Sequence, residues 1–138
     1  MDAGRAALVG STAFLGLTAI AGGVALLTGV IEPGLELLDG SPFDDYVVPG
    51  LSLTGVGMLS AVASALGWRR AAGAAALAAI AGAGIVIYEA VEVAVIGPHF
   101  LQAIYAALGL GIVALAATTR RGGSPHAPLT MTIVTRDS

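Results

Sequence analysis

Two glutamates, Glu89 and Glu92, stand three residues apart in the apolar stretch IVIYEAVEVAVIGPHF, which covers residues 85–100. On a helix, side chains at this spacing leave from nearly the same face. A carboxylate at mid-bilayer costs about 2.5–3.5 kcal/mol on insertion scales, and less toward the interface. If this stretch crosses a membrane, the glutamate face must therefore point into protein or into a wet cavity rather than at lipid.

Polar side chains that could meet these glutamates cluster nearby. His99 lies in the connector that follows, and Gln102 and Tyr105 stand three residues apart at the start of the last apolar run. We interpret Glu89, Glu92 and these three residues as a candidate polar pocket in the outer half of the molecule. No arginine falls at the same depth, so the chain itself offers the glutamates no salt bridge.

Two interpretations of the glutamates stay open. In the first, Glu92 hydrogen-bonds to Gln102 or Tyr105 as a packing contact between helices, and Glu89 snorkels or is uncharged. In the second, the polar side chains form an outward-facing pocket that binds a proton, a cation or a polar lipid headgroup. His99 is interpreted as a connector residue at the interface rather than as a ligand.

The composition of the whole chain indicates which solvent surrounds this stretch. Of the 138 residues, 57% are hydrophobic and only 11% are charged, and the mean hydropathy is +0.91. Soluble domains carry about 25% charged residues, so we conclude that lipid solvates most of this chain. There is no cysteine, which excludes disulfides, thiol chemistry and thiolate metal sites.

Four apolar runs are long enough to span a bilayer, which takes roughly 20 residues. They are continuous rather than alternating, so helices are favoured over barrel strands. The sequence therefore predicts an all-α integral membrane protein, a four-transmembrane-helix bundle within residues 1–121, followed by a flexible cytoplasmic tail at 122–138. The predicted spans cover about residues 6–30, 47–67, 71–96 and 100–118.

Charges are segregated between the connectors of these four runs. With four spans, every arginine falls on one side of the membrane, whereas the first connector carries five acidic residues on the other side. The positive-inside rule then predicts a multi-pass protein of the cell membrane with both termini in the cytoplasm. The arginines are Arg5, Arg69, Arg70, Arg120, Arg121 and Arg136, and the acids are Glu32, Glu36, Asp39, Asp44 and Asp45.

Small residues on the third run indicate close packing between helices. Ala74, Ala78 and Gly82 recur every four residues on one face, and such faces let helices approach closely in lipid. They predict a tight bundle within one chain, and a homodimer through small-residue faces is the alternative. The bilayer itself is the other expected partner.

The first connector, EPGLELLDGSPFDDY, is explained largely by local structure. Asp44 or Asp45 can cap the second helix, Pro49 suits its first turn, and residues 35–38 can form a short amphipathic turn in the headgroup region. The spacing of the acids does not match an EF-hand, and we predict no metal site.

Motifs for catalysis are not found. The sequence has no phosphate loop, nucleotide fingerprint or basic stripe for nucleic acid, so we expect no cofactor and no nucleic-acid partner. We favour a small, non-enzymatic polytopic membrane protein with a structural or accessory role. The alternative is a transporter-like or ligand-binding bundle with its pocket at Glu92.

The segments LDGSPFDDYVVPGL and FLQAIYAALGL together carry a resemblance to known proteins. The chain resembles an uncharacterised family of small prokaryotic four-span membrane proteins with a GSPFxDYxxPGL motif before the second helix, and the likeness covers roughly residues 32–110. The resemblance implies the four-span fold and a polar pair of Glu92 with Gln102, with an aromatic residue at Tyr88. It implies no activity, and Glu89 departs from the family pattern, which is usually apolar at that position.

Overall fold

A computed structural model describes residues 1–122, and these residues contain four long α-helices. Each helix is long and apolar enough to cross a membrane, and the described part of the chain contains no strand. The protein is therefore a multi-pass membrane protein folded as a four-transmembrane-helix bundle, as predicted. The helices are α1 Ala3–Thr28, α2 Val47–Trp68, α3 Ala74–Ile96 and α4 Phe100–Gly122. Apart from Gly122, the predicted tail lies outside the described residues.

The helix ends extend or shorten the predicted spans for local reasons. Helix α1 begins at Ala3 rather than at residue 6, because the Asp2 carboxylate caps it by accepting a hydrogen bond from the Arg5 backbone N–H at 2.9 Å. This hydrogen bond lowers the pKa of Asp2. At the other end, α4 continues beyond residue 118 to Gly122, because arginines in its last turn suit the helix dipole.

The turn between α2 and α3 delays the start of α3. Arg70 adopts a left-handed backbone with φ of 57°, a conformation more often taken by glycine at the end of a helix. The Ala71 N–H donates to the Leu66 carbonyl at 2.9 Å, and the Arg70 N–H donates to the Gly67 carbonyl at 3.2 Å. This pair of bonds is the Schellman motif, and α3 accordingly begins at Ala74 instead of residue 71.

The helices pack in chain order, each against the next, and α1 also contacts α4. The bundle has two ends of different composition. The connector end holds residues 29–46 and 97–99, and the arginine end holds residues 1–5, 69–73 and 119–122. The buried core between them consists of Leu8, Leu15, Ala19, Ala63, Ala78, Ile85, Ile112 and Ala116.

Helices α1 and α2 meet along a glycine seam, formed by Gly16 and Gly23 of α1 with Gly50 and Gly57 of α2. The two glycines on each helix are seven residues apart, which keeps them on one face. A Cβ atom added at Gly57 would lie 2.7 Å from the backbone nitrogen of Ile20, and one added at Gly23 would lie 2.7 Å from the Gly50 carbonyl oxygen. The two backbones are therefore in contact, with no space for a side chain.

A second close contact joins α3 to α4. A Cβ atom at Gly82 would lie 2.7 Å from the Gly109 carbonyl oxygen, and one at Gly109 would lie 2.6 Å from the Gly82 carbonyl oxygen. Ala78, one turn before Gly82, is 1% exposed. The small-residue face predicted on the third run thus packs within the chain at Ala78 and Gly82. A homodimer stays a prediction, and it would have to use another face.

Candidate functional site

Glu92 and Gln102 connect α3 to α4 near the connector end. The Gln102 side-chain Nε2 donates to Glu92 Oε2 at 3.3 Å, and Gln102 Oε1 accepts a hydrogen bond from the His99 backbone N–H at 2.7 Å. The two bonds fix the orientation of the amide, because one requires its oxygen and the other its nitrogen. Gln102 is only 4% exposed, so this bridge is sealed from lipid on the α4 side.

His99 serves as the N-cap of α4. Its Nδ1 accepts a hydrogen bond from the Leu101 backbone N–H at 3.4 Å, while Gln102 reaches back to the His99 N–H. This exchange is a capping box, with histidine in place of the usual hydroxyl residue. The imidazole ring is exposed and lies against Phe100, with 4.6 Å between ring centroids.

Glu89 lies one turn closer to the bundle centre and does not reach the surface. Its side chain is 6% exposed, and its Oε2 has no hydrogen-bond partner within residues 1–122. An ionised carboxylate without a donor is costly in such a place. The structure therefore does not show the snorkelling orientation considered for Glu89.

Tyr105 is half-buried and packs against the hydrophobic core. Among the described residues, neither Tyr105 nor the His99 ring is hydrogen-bonded to a glutamate. Of the five side chains in the predicted pocket, Gln102 is hydrogen-bonded to Glu92 and the Glu89 carboxyl group lies beside Glu92, whereas Tyr105 and the His99 ring stay apart from them.

A cavity of about 330 Å³ lies on the side of Glu92 that faces away from Gln102 and α4. It opens between α2, α3 and the first connector. Among residues 1–122, Glu92 is the only charged residue in its lining, and the other four residues of the predicted pocket do not line it. The walls are mostly apolar. They comprise Leu26, Pro33, Leu38, Phe43, Tyr46, Val48, Pro49, Ser52, Val56, Gly84, Ile87, Tyr88, Val91, Glu92, Val95 and Ile96.

The deepest lining positions on α2 and α3 mark the floor of this cavity. Val56 and Gly84 lie there, and a Cβ atom at Gly84 would be 3.3 Å from Val56 Cγ2. From Ile96 to Gly84, the α3 wall rises about 18 Å at 1.5 Å per residue. Glu92 stands roughly 6 Å below the rim on the same scale, so a ligand that contacts it would extend past it into an apolar space.

The first connector folds into a lid over part of the cavity because local hydrogen bonds hold it there. The Tyr46 hydroxyl donates to the Gly34 carbonyl at 3.1 Å, and the Asp45 carboxylate accepts from the Val47 N–H at 2.9 Å. Leu38, at the end of the 3₁₀ helix Leu35–Leu38, is buried. Burial and then the nearby charge of Glu36 raise the pKa of Tyr46, so its hydroxyl stays a neutral donor.

Three aromatic residues of the cavity were missed by the sequence analysis as site residues. Tyr88 precedes Glu92 by four residues and so shares its helix face. Phe43 and Tyr46 come from the first connector, which was interpreted only as a cap and a turn. The GSPFDDY segment held the signal, because two aromatic rings in a short acidic connector need an apolar surface to cover them.

Comparison with known proteins gives no further guide, since no protein-family model, curated protein sequence or solved structure matches this chain. The resemblance to the four-span family stays a prediction that rests on the quoted motifs.

Proposed function

We propose that the protein is a small ligand-binding protein of the cell membrane, whose cavity at Glu92 takes up a molecule from the outer half of the bilayer. The observation that carries this proposal is the cavity itself, whose described lining is apolar except for one carboxylate and three hydroxyl-bearing side chains. Ligand sites typically measure about 300–1,000 Å³ and combine apolar walls with a few polar groups. The same binding step would serve a transporter-like role.

The orientation belongs to the same proposal. The arginine end carries Arg5, Arg69, Arg70, Arg120 and Arg121, and the first connector carries five acids. By the positive-inside rule the arginine end faces the cytoplasm, and with it both termini. The cavity then opens toward the outer leaflet.

A structural or accessory role is the second candidate, and the bond between Glu92 and Gln102 favours it. A hydrogen bond between neighbouring helices is a common means of holding a membrane bundle together. In this role Glu92 needs only a hydrogen-bonding side chain, whereas a cation or proton site needs the carboxylate.

Native mass spectrometry of the gently solubilised protein tests the binding role. We expect a bound mass on the wild-type protein that disappears in Ser52→Phe and Val95→Phe, which fill the cavity from α2 and α3. Glu32→Gln, which removes an exposed carboxylate outside the cavity, is the matched control and should keep the bound mass. Identical spectra for all four proteins, with no bound species, would overturn the proposal and leave the accessory role.

A further inference from the structure

We infer that the ligand of the cavity is a lipophilic organic cation, a molecule with one positive group and an apolar or aromatic body. This inference rests on the proposed binding function and names the class of ligand for that same site. It follows from three features of the described residues: the carboxylate in the wall, the aromatic rings beside it, and the distribution of charge around the opening.

The Glu92 carboxylate is held in place in the cavity wall. Its Oε2 accepts from Gln102, and the side chain is partly exposed in the lining. A carboxylate only accepts hydrogen bonds, and within the described part of the chain it is the sole charged group of the lining. The group that complements it is therefore positive, and Gln102 acts as the positioning residue.

The rest of the lining selects an organic cation rather than a metal ion. Phe43, Tyr46 and Tyr88 contribute aromatic rings to the lining, and the faces of such rings attract positive groups that have lost their water. A divalent metal ion needs several protein oxygens or nitrogens, and residues 1–122 contain no group of three metal-ligating side chains. The apolar walls instead cover a hydrocarbon body.

The charge around the opening favours cations over phospholipids. All five acids of the first connector, Glu32, Glu36, Asp39, Asp44 and Asp45, are exposed at the connector end. Every arginine of the described part lies at the other end of the bundle. An acidic rim raises the local concentration of cations, and it repels the phosphate that every phospholipid headgroup carries. We therefore assign the cavity to a free organic cation and not to a lipid.

The test compares two ions of the same shape and opposite charge, tetraphenylphosphonium and tetraphenylborate, with triphenylphosphine oxide as the neutral probe. Binding of each is measured by equilibrium dialysis against the protein in lipid nanodiscs, after subtraction of empty nanodiscs. The proteins are the wild type, Glu92→Gln, the two cavity-filling variants Ser52→Phe and Val95→Phe, and the control Asp2→Asn, which removes a carboxylate at the arginine end of the bundle. Circular dichroism checks that each variant keeps its helices.

We expect the wild type to bind tetraphenylphosphonium at least about tenfold more tightly than tetraphenylborate. Glu92→Gln should weaken cation binding roughly ten- to hundred-fold, the range for a lost contact to a charged group, and leave the neutral probe unchanged. Both filling variants should abolish cation binding, and Asp2→Asn should leave it unchanged, because Asp2 lies at the far end of the bundle from the cavity.

Two other results have distinct meanings. If the neutral probe or the borate binds as tightly as the cation, with loss in the filling variants but not in Glu92→Gln, the cavity binds ligands but the assignment to cations is wrong. If no probe distinguishes the wild type from the filling variants, this inference is overturned. The bound mass sought by native mass spectrometry then decides the proposed function independently.

Discussion

Helix α2 makes two interfaces of opposite character. Toward α1 it presents Gly50 and Gly57, and the backbones touch along the glycine seam. Toward α3, at the connector end, it presents Ser52 and Val56, and a cavity of about 330 Å³ remains. The difference shows that small residues must stand on both helices at matching positions for close packing in lipid. Toward α3, larger side chains and the folded first connector hold the two helices apart, and α2 lines the cavity instead.

The largest expected effect comes from the seam. Gly57→Ala should lower the free energy of unfolding by about 2–3 kcal/mol, because the new Cβ atom would overlap the Ile20 backbone and force the helices apart. The measurement is denaturant-induced unfolding in mixed micelles, followed by circular dichroism.

Gly55→Ala is the matched control for this change, since it alters the same helix two residues earlier, where nothing lies within 4 Å of the added Cβ. We expect no loss of stability there, and a gain of up to about 1 kcal/mol from better helix propensity. Equal losses for the two variants would show that the seam does not hold the helices together.

Substitutions at the two glutamates should change stability in opposite directions, because Glu89 lies in the interior of the bundle and Glu92 lies in the cavity wall. Glu89→Met should raise the free energy of unfolding by about 1 kcal/mol, because it removes a buried oxygen without a partner. Glu92→Met should lower it by about 1 kcal/mol, because it leaves the Gln102 amide without its acceptor. The same unfolding measurement on both variants checks this, and shifts of the same sign would contradict the assignment.

Filling the cavity should change stability much less than filling the seam. Ser52→Phe adds a whole ring at an exposed position of the lining, and we expect a change within about 0.5 kcal/mol. The comparison with Gly57→Ala, which adds a single carbon atom, is the control. A loss from Ser52→Phe as large as that from Gly57→Ala would show that the cavity is not an open space in the folded protein.

The smallest effect concerns acid and the start of α1. Neither α1 nor α2 contains an acidic residue or histidine, so acid should act on this pair chiefly through the Asp2 cap. The pKa of Asp2 lies below its ordinary value of 3.8. The cap therefore stabilises the helix fully above pH 3.8 and stops doing so as the pH falls through the lower folded value.

Nuclear magnetic resonance of the Arg5 backbone amide, from neutral pH down to about pH 2, measures this change. We expect a midpoint below 3.8. Asp2→Asn keeps the capping oxygen but does not titrate, so its Arg5 amide should not shift in this range. A midpoint above 3.8 in the wild type would contradict the cap.

The fold could be predicted from the sequence because lipid leaves few alternatives. Apolar runs of spanning length must be helices, and those predicted near residues 47–67 and 100–118 begin where α2 and α4 do. The seven-residue spacing of glycines on α1 and α2 also indicates their seam, whereas the predicted small-residue face was that of Ala74, Ala78 and Gly82. The helix ends depended on caps such as Asp2 and on the left-handed Arg70, which apolar runs do not reveal.

The candidate site could be predicted only in part. The pairing of Glu92 with Gln102 follows from two polar residues near the same end of adjacent helices. The cavity does not follow from any local pattern, since it exists only where the first connector folds back over α2 and α3. Residues such as Phe43 and Tyr46 enter the site through that long-range arrangement, and His99 leaves it because its ring is used at the start of α4.

The short loop at residues 97–99 has a consequence for the order in which the bundle assembles. It ties α3 closely to α4, and the glycine seam ties α1 to α2, so we expect two hairpins that each close before they dock. The cavity lies across the contact between the hairpins and is complete only after docking. A ligand bound there stabilises the docked state, by about 2.7 kcal/mol at a hundredfold excess over its dissociation constant, and so lengthens the lifetime of the assembled protein.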